Sequence, residues 1–474
     1  MKLTLGEIAA VLETATPSPE RTALGYSIDS RTLVAGQLFF AIRGPRFDGH
    51  SYVEEVVARG AAGAVVRQSF WGAASEGLRA SLLAVPETTA ALQRLAHSVR
   101  KKWGRAVVAV TGSTGKSTTK EMTAVILARR LRVLKSQGNL NNHFGLPLTM
   151  LGLEPTHETV VAELAMSAAG EIALLTRLAE PQVGVVTNVA PVHLQFFDSV
   201  DAIARAKKEL IDHLLAGATA VLNRDDQRVR NFARGFSGRA LTFGFEPGAD
   251  FRAVDCRPDG TRGSVFRVEG PALAGEYRLP LPGRHNVANA LAALAAASVF
   301  DVSATDAQQA LATFQPLAQR SEILTLSHGV VLINDCYNSS PLAMEKMLET
   351  LANWPDARRR LVVAGEMLEL GVTSPELHRA VGRKCQEASV DWLVAVQGDA
   401  QFLVEGAREA GLPPKRARFF ATPEEAAECC RTLLQPGDVV LVKGSRGVHL
   451  ERAVELLRAA FPDAAGQGPS EPAN

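Results

Sequence analysis

The sequence predicts an α/β protein of three domains, and three observations carry that expectation. At 474 residues the chain is too long for one hydrophobic core. From about Lys101 to Gln319, short apolar runs alternate with longer helix-like stretches: "VVAVTGS", "TTKEMTAVILARRL", "TVVAELAM", "GEIALLTRLAE", "VGVVTNV". That rhythm indicates parallel strands joined by crossover helices in a doubly wound sheet. The rhythm restarts near Arg320 with "GVVLINDCYN", "MEKMLETLANW", "RRLVVAGEM", "WLVAVQG" and "DVVLVKGSRG", so a second such unit follows. The expected units are a small N-terminal α/β domain (1–100), a central doubly wound domain (101–319) and a C-terminal Rossmann-like α/β domain (320–474).

Each unit can be justified in order. The first holds the apolar runs "LFFAI", "GAVVR" and "SLLAV" between the helical patterns "YVEEVVARGAA" and "TTAALQRLAHSVRKKW". Within the second, "ADFRAVDCRPDGTRGSVFRVEGPALAGEYRLPLPG" reads as hairpins with polar turns, followed by the helix "HNVANALAALAAASVF". The last ten residues, 465–474, are small, polar and proline-bearing, and disorder is expected there.

Composition narrows the function classes. Lys plus Arg number 51 against 50 for Asp plus Glu, so no basic field points to nucleic acid. No apolar run approaches the ~20 residues that span a bilayer, and the N-terminus lacks the pattern of a secretory leader. The five cysteines are scattered without a CxxC pair, which fits a reducing compartment. A cytoplasmic protein is expected.

The chemistry centres on "VTGSTGKSTTKE", Val110 to Glu121. Glycines let backbone N–H groups turn inward toward an anion, and the following helix brings a partial positive charge. Gly112, Ser113, Thr114, Gly115, Lys116, Ser117 and Thr118 supply the loop, a lysine for the outer phosphates and a hydroxyl for Mg²⁺. The central unit therefore reads as a P-loop ATPase-type domain. "GNLNNHFGLPLT" carries Asn139, Asn141 and Asn142, whose amides both donate and accept; alone it better suits a turn-rich connector. Glu163 ends the apolar run "VVAEL", where ligands of open α/β sheets gather. His193 follows "VGVVTNV", and Lys207 with Lys208 sits in the mixed-face helix "AIARAKKELI". His285, Asn286 and Asn289 open the alanine-rich helix. They suit contact with a ligand at that helix start, and capping by Asn286 suits the pattern equally. Asp335 and Asn338 follow one strand of the last unit, and Lys443, Ser445 and Arg446 follow another, where a cation pair suits a carboxylate or phosphate.

In this order the motifs resemble the Mur ligase family of ATP-dependent amide-bond-forming enzymes, from "SIDSRTLVAGQLFFAIRGPRFDGH" to "LVKGSRG". The family loop is TG-x-x-GK-[ST], which the chain matches with Val110 in front. "GNLNNHFGLPLT" and the "TKE" after the loop favour the member that joins D-alanyl-D-alanine to UDP-N-acetylmuramoyl-tripeptide, a peptidoglycan precursor step. The resemblance implies ATP and Mg²⁺ as cofactors and a monomer with these two substrates as its partners. It implies Lys116 and the loop amides on the phosphates, Ser117 and Glu163 on Mg²⁺, and His193 in support. Lys207 aligns with a carbamylated lysine facing the metal. Asn286 and Asn289 would meet the adenine, and Arg320 and Asp335 the nucleotide from the third domain. Ser30, Arg31 and the "FDGH" residues Asp48, Gly49 and His50 match the UDP-sugar region of the N-terminal domain. Asn139, Asn141, Asn142, Asn338, Lys443, Ser445 and Arg446 would lie near the peptide substrates.

Two departures stand out: "YNSSP" where the family has Y-N-A-N-P, placing Ser340 for an asparagine, and "GEM" for GDM, placing Glu366. Both bear on substrate positioning more than on reaction type. Two other readings stay open: another Mur-type amide ligase (third-residue-adding or folylpolyglutamate-like), and an NTP-binding regulatory module without ligase chemistry.

Overall fold

Valine-rich runs become strands covered on both faces. The computed structural model describes residues 1–45, 47–192 and 194–462; His193 and the 465–474 tail lie outside the described residues. The first unit begins with a short helix, Leu5–Leu12, whose start is set by a capping box: Thr4 accepts from the Glu7 amide and the Glu7 carboxylate accepts from the Thr4 amide. Four parallel strands follow in spatial order Gly25–Ser27, Gln37–Phe40, Gly63–Arg67 and Leu82–Val85. The helix Thr88–Trp103 packs on this sheet with Leu92, Leu95, Ala96 and Val99 inward, and stops at Gly104 in the left-handed region.

The central sheet has nine strands. Its parallel part runs Phe251–Pro258, Arg239–Gly244, Thr219–Asn223, Val183–Val186, Ala106–Thr111, Thr159–Glu163 and Val133–Lys135. From Ala106–Thr111 the chain first builds one side of the sheet, through Val133–Lys135 and Thr159–Glu163, and then crosses to Val183–Val186 on the other. The crevice at such a switch point is where open α/β sheets hold ligands. The expected hairpins extend the sheet as the antiparallel strands Phe251–Pro258, Ser264–Glu269 and Gly275–Leu279. Alanine explains the helix Arg284–Ala297: every residue from Ala290 to Ala297 is fully buried, against the sheet and the helix Lys116–Leu127. Small side chains permit that close approach on all sides.

The last unit is a six-stranded sheet in order Glu322–Thr325, Val331–Asn334, Asp438–Lys443, Arg359–Gly365, Trp392–Val396 and Ala417–Phe420. All pairs are parallel except the first. Buried clusters on both faces explain why its strands read as continuous apolar runs. The α/β class and doubly wound centre expected from the sequence are what the chain forms.

Candidate active site

The glycine loop joins the strand Ala106–Thr111 to the helix Lys116–Leu127. Gly112 (φ 150°) and Gly115 (φ 79°) lie in backbone regions that favour glycine. Space forbids anything larger as well: a Cβ on Gly112 would collide with Thr187 Oγ1, and one on Gly115 with Asn289 Oδ1. The end of the neighbouring strand Val183–Val186 braces the loop. Thr187 Oγ1 donates to the Thr114 carbonyl (2.6 Å), Asn188 Oδ1 accepts from the Thr114 amide (3.0 Å), and the Ser113 amide donates to the Asn188 carbonyl (2.9 Å). Sequence reading missed Thr187 and Asn188, although a polar pair directly after "VGVV" was the available signal. Thr118 is half-buried in the first helical turn.

Beside the loop the predicted ionic residues converge. Ser117 Oγ donates to Glu163 Oε2 (2.7 Å) and Asn141 Nδ2 donates to Glu163 Oε1 (3.0 Å). Lys116 Nζ folds back onto the Gly112 and Ser113 carbonyls at 3.0 and 3.3 Å. Lys207, on the helix Val200–Asp212, is buried and donates to the same Gly112 carbonyl at 2.9 Å, while Lys208 pairs outward with Asp212. Burial holds the Lys207 amine well below the usual lysine range, and the Lys116 charge lowers it further. Lys116 is also lowered, chiefly by burial; Glu163 opposes that shift and the Arg320 charge adds to it. Three basic side chains, Lys116, Lys207 and Arg320, around one carboxylate make a site suited to negative charge, as a polyphosphate site should be. Ser117 and Glu163 offer hard oxygens that fit Mg²⁺, an ion that takes its remaining ligands from phosphate and water.

The "TKE" motif supports this cluster from behind. Lys120 is 1% exposed; its Nζ donates to the Ser136 carbonyl (2.6 Å) and pairs with Glu121 (2.9 Å), which also pairs with Lys135. Ser136 Oγ in turn accepts from the Glu163 amide (3.2 Å). Lys120→Met is therefore expected to lower stability by about 1–3 kcal/mol, below the usual cost of breaking a buried pair because Glu121 keeps Lys135. Urea unfolding of the two proteins measures it; an unchanged midpoint would contradict the assigned role.

Of the other asparagines, Asn139 is exposed, and Asn142 Oδ1 accepts from the Phe144 and Gly145 amides at the start of the helix Gly145–Leu151. Asn286 does not cap its helix, whose N-cap is Gly283. Its amide donates to the Pro282 carbonyl (2.8 Å) and accepts from Asn289 (3.2 Å), so the two asparagines form one unit beside Gly115. His285 Nδ1 is buried with no hydrogen-bond partner, and burial lowers its pKa to about 4.

The third unit contributes a second cluster. Asp335 accepts from the Ser321 amide (2.8 Å) and from Lys443 Nζ (2.6 Å), which also donates to the Asn338 carbonyl (2.9 Å). Lys443 thus holds two loops together in this arrangement. Asn338 Oδ1 accepts from the Ser339 amide, and Ser445 Oγ from the Leu368 amide. Both departures from the family pattern are absorbed locally: Ser340 caps the helix Pro341–Ala352 through the Ala343 amide (3.4 Å), and the Glu366 carboxylate accepts from the Asp399 amide (3.0 Å).

A separate polar cluster lies at the C-terminal ends of the first sheet. His50 is buried; its Nε2 accepts from the Arg67 amide (3.0 Å), so Nδ1 carries the proton toward Asp48 Oδ1 (2.6 Å). Gly49 sits against the Ile42 backbone, Arg31 pairs with Asp29 at the surface, and Arg59 ties down the Ser30 carbonyl. Arg67, not singled out from sequence, has a buried Nε with no partner. Its place at the end of "GAVVR" was the signal.

Three family descriptions match the chain in succession. Residues 24–100 match the description "Mur ligase family, catalytic domain", 110–297 "Mur ligase middle domain" and 319–446 "Mur ligase, glutamate ligase domain". The UDP-N-acetylmuramoyl-tripeptide–D-alanyl-D-alanine ligase of Bacillus subtilis is 33% identical over 460 residues, 96% of this chain and 98% of that protein. The chain belongs to the Mur ligase family. The Mur ligase of the same description from Synechocystis is 35% identical over 97% of this chain and 99% of its own length. Among solved Mur ligases, MurF from Acinetobacter baumannii superposes with a TM-score of 0.87 at 29% identity, covering 97% of this chain and 99% of that one. MurF from Thermotoga maritima, solved in complex with ADP, gives 0.81 at 29% identity over 92% and 98%. A folylpolyglutamate synthase from Mycobacterium tuberculosis shares the fold alone, at 15% identity and a TM-score of 0.64. Among the described residues no helix is long and apolar enough to cross a membrane.

Proposed function

We propose that this chain is an ATP-dependent, ADP-forming ligase that joins D-alanyl-D-alanine to UDP-N-acetylmuramoyl-tripeptide, giving the pentapeptide precursor of peptidoglycan. One observation carries the reading: Lys116, Ser117, Glu163 and Lys207 meet at the switch-point crevice of a chain that matches ligases of that name along nearly its whole length.

Amide formation from a free carboxylate is uphill in water, so the carboxylate must first be activated. The tripeptide carboxylate attacks the γ-phosphate of ATP, releasing ADP and leaving an acyl phosphate. The D-alanyl-D-alanine amine then adds to the acyl carbon, and the tetrahedral adduct expels phosphate. Lys116 and the loop amides hold the phosphates and neutralise charge on the transferring oxygens. Ser117 and Glu163 would hold Mg²⁺, which supplies further charge neutralisation. Burial lowers the Lys207 pKa and so favours the uncharged amine, the form that takes up CO₂ as a carbamate. Asn286 and Asn289 flank the adenine, while Arg320 and Asp335 approach the nucleotide from the third unit. Ser30, Arg31, Asp48, Gly49 and His50 receive the UDP-sugar. Asn141, Asn338 and Arg446 face the peptide substrates, with Lys443 and Ser445 shaping the loops that carry them. We assign domains to 1–100, 101–319 and 320–474, and a cytoplasmic, monomeric enzyme. Holding both substrates in one cleft contributes the proximity advantage, about 7–11 kcal/mol at its best.

The test is phosphate release from ATP and Mg²⁺ with UDP-N-acetylmuramoyl-tripeptide, with and without D-alanyl-D-alanine. Release requiring both substrates, with a pentapeptide product by mass, is expected. Release indifferent to both would remove the ligase reading in favour of a nucleotide-hydrolysing module.

A further inference from the structure

The segment entering the third unit is held in an unusual shape. Gln319 (φ 63°) and Ser321 (φ 52°) both adopt left-handed conformations that are unfavourable for non-glycine residues, and Arg320 stands between them. Such backbone persists only where surrounding contacts impose it. Here the Tyr337 amide donates to the Gln319 carbonyl (3.1 Å), Arg446 donates to Gln319 Oε1 (2.7 Å), and the Ser321 amide donates to Asp335 Oδ1 (2.8 Å). The outcome is a defined direction for one side chain: the Arg320 guanidinium lies over the Tyr337 ring, 3.9 Å from its centroid. The Arg446 guanidinium lies 6.0 Å from the same centroid. From this position the Arg320 charge reaches the phosphate loop, where it acts on Lys116.

An arginine on a flexible stem loses rotamer freedom when it must meet a phosphate, and an aromatic face that already holds it reduces that loss. We propose that Tyr337 is a positioning residue that holds Arg320 in reach of the nucleotide phosphates, through its ring and not its hydroxyl. The proposal rests on the ligase reading for the identity of the reaction, but the nucleotide-binding part stands by itself.

The experiment is a double-mutant cycle on the full chain with Tyr337→Phe, Tyr337→Leu, Arg320→Ala and Tyr337→Leu/Arg320→Ala. Affinity for ATP analogue and Mg²⁺ is read by calorimetry, and KM and kcat are read separately for ATP and D-alanyl-D-alanine. Tyr337→Phe is expected within about twofold of the parent, because it keeps the ring. Tyr337→Leu is expected to weaken ATP binding and kcat/KM for ATP by about five- to thirtyfold, the range of a partly desolvated cation–π contact. In the Arg320→Ala background the same change should add less than about twofold, since the two residues act as one unit. Additive losses, a Phe variant as impaired as Leu, or a rise confined to KM for D-alanyl-D-alanine would each overturn the proposal. So would an Arg320→Ala protein with unaltered ATP affinity. Should Tyr337→Leu fail to fold, Tyr337→Met takes its place in the cycle. Intact coupling in ATP binding without any pentapeptide product would sink the ligase reading and leave the Tyr337 assignment standing.

Discussion

Lys116→Ala is expected to lower kcat by about a thousandfold or more while leaving the fold intact, because removal of one preorganised charge from the transferring phosphoryl group has effects of that order. The fold should survive for an electrostatic reason. Among the described residues Lys116 Nζ donates to the Gly112 and Ser113 carbonyls, and it shares the first of these with Lys207. Its removal takes away a charge that disfavours protonation of the buried Lys207, so the melting temperature should stay level or rise. Lys116→Arg should not restore activity, since a planar guanidinium cannot replace a compact ammonium folded into this loop. Substrate-dependent phosphate release and thermal unfolding measure the two halves. An alanine variant keeping more than about a tenth of the parental kcat would contradict the assigned role.

The second large effect is expected at Lys207, where stability and activity should part company. The residue is 2% exposed and its amine donates to the Gly112 carbonyl. A buried amine without a carboxylate beside it costs folding free energy, and methionine fills nearly the same volume without a charge to desolvate. Lys207→Met should thus be as stable as the parent or more so. If Lys207 carries a carbamate in the working enzyme, the same variant should lose about ten- to a hundredfold in kcat, as loss of a group supporting a metal does. Incorporation of carbon-13-labelled bicarbonate, followed by NMR on the parent and on Lys207→Met, tests the modification itself. A fully active Lys207→Met enzyme would end that assignment.

The local code of this protein was legible without coordinates. Strands such as Val183–Val186 and Asp438–Lys443 announce themselves because burial on both faces demands unbroken apolar runs. The glycine loop was equally plain: inward-turned amides need φ values that glycine adopts freely, and a lysine at a helix start has few other reasons to follow them. Family resemblance then assigned roles to residues whose own neighbourhoods said little.

What tertiary structure alone decided is which distant residues share a space and which way each faces. Lys207 and Lys208 are adjacent in a helix that sequence pattern left ambiguous; packing against the loop buries one and leaves the other at the surface with Asp212. Asn286 looked as suitable for a cap as for a ligand, and only the placement of Gly283 at the helix start removed the first role. Thr187, Asn188 and Arg67 carry no motif, and Tyr337 stands in "YNSSP" with no role legible there, because their importance lies in contacts made across tens of residues. Secondary structure follows from short-range periodicity that any stretch of chain displays by itself. Convergence follows from how sheets and crossovers bring strand ends together, and that information is spread over the whole chain.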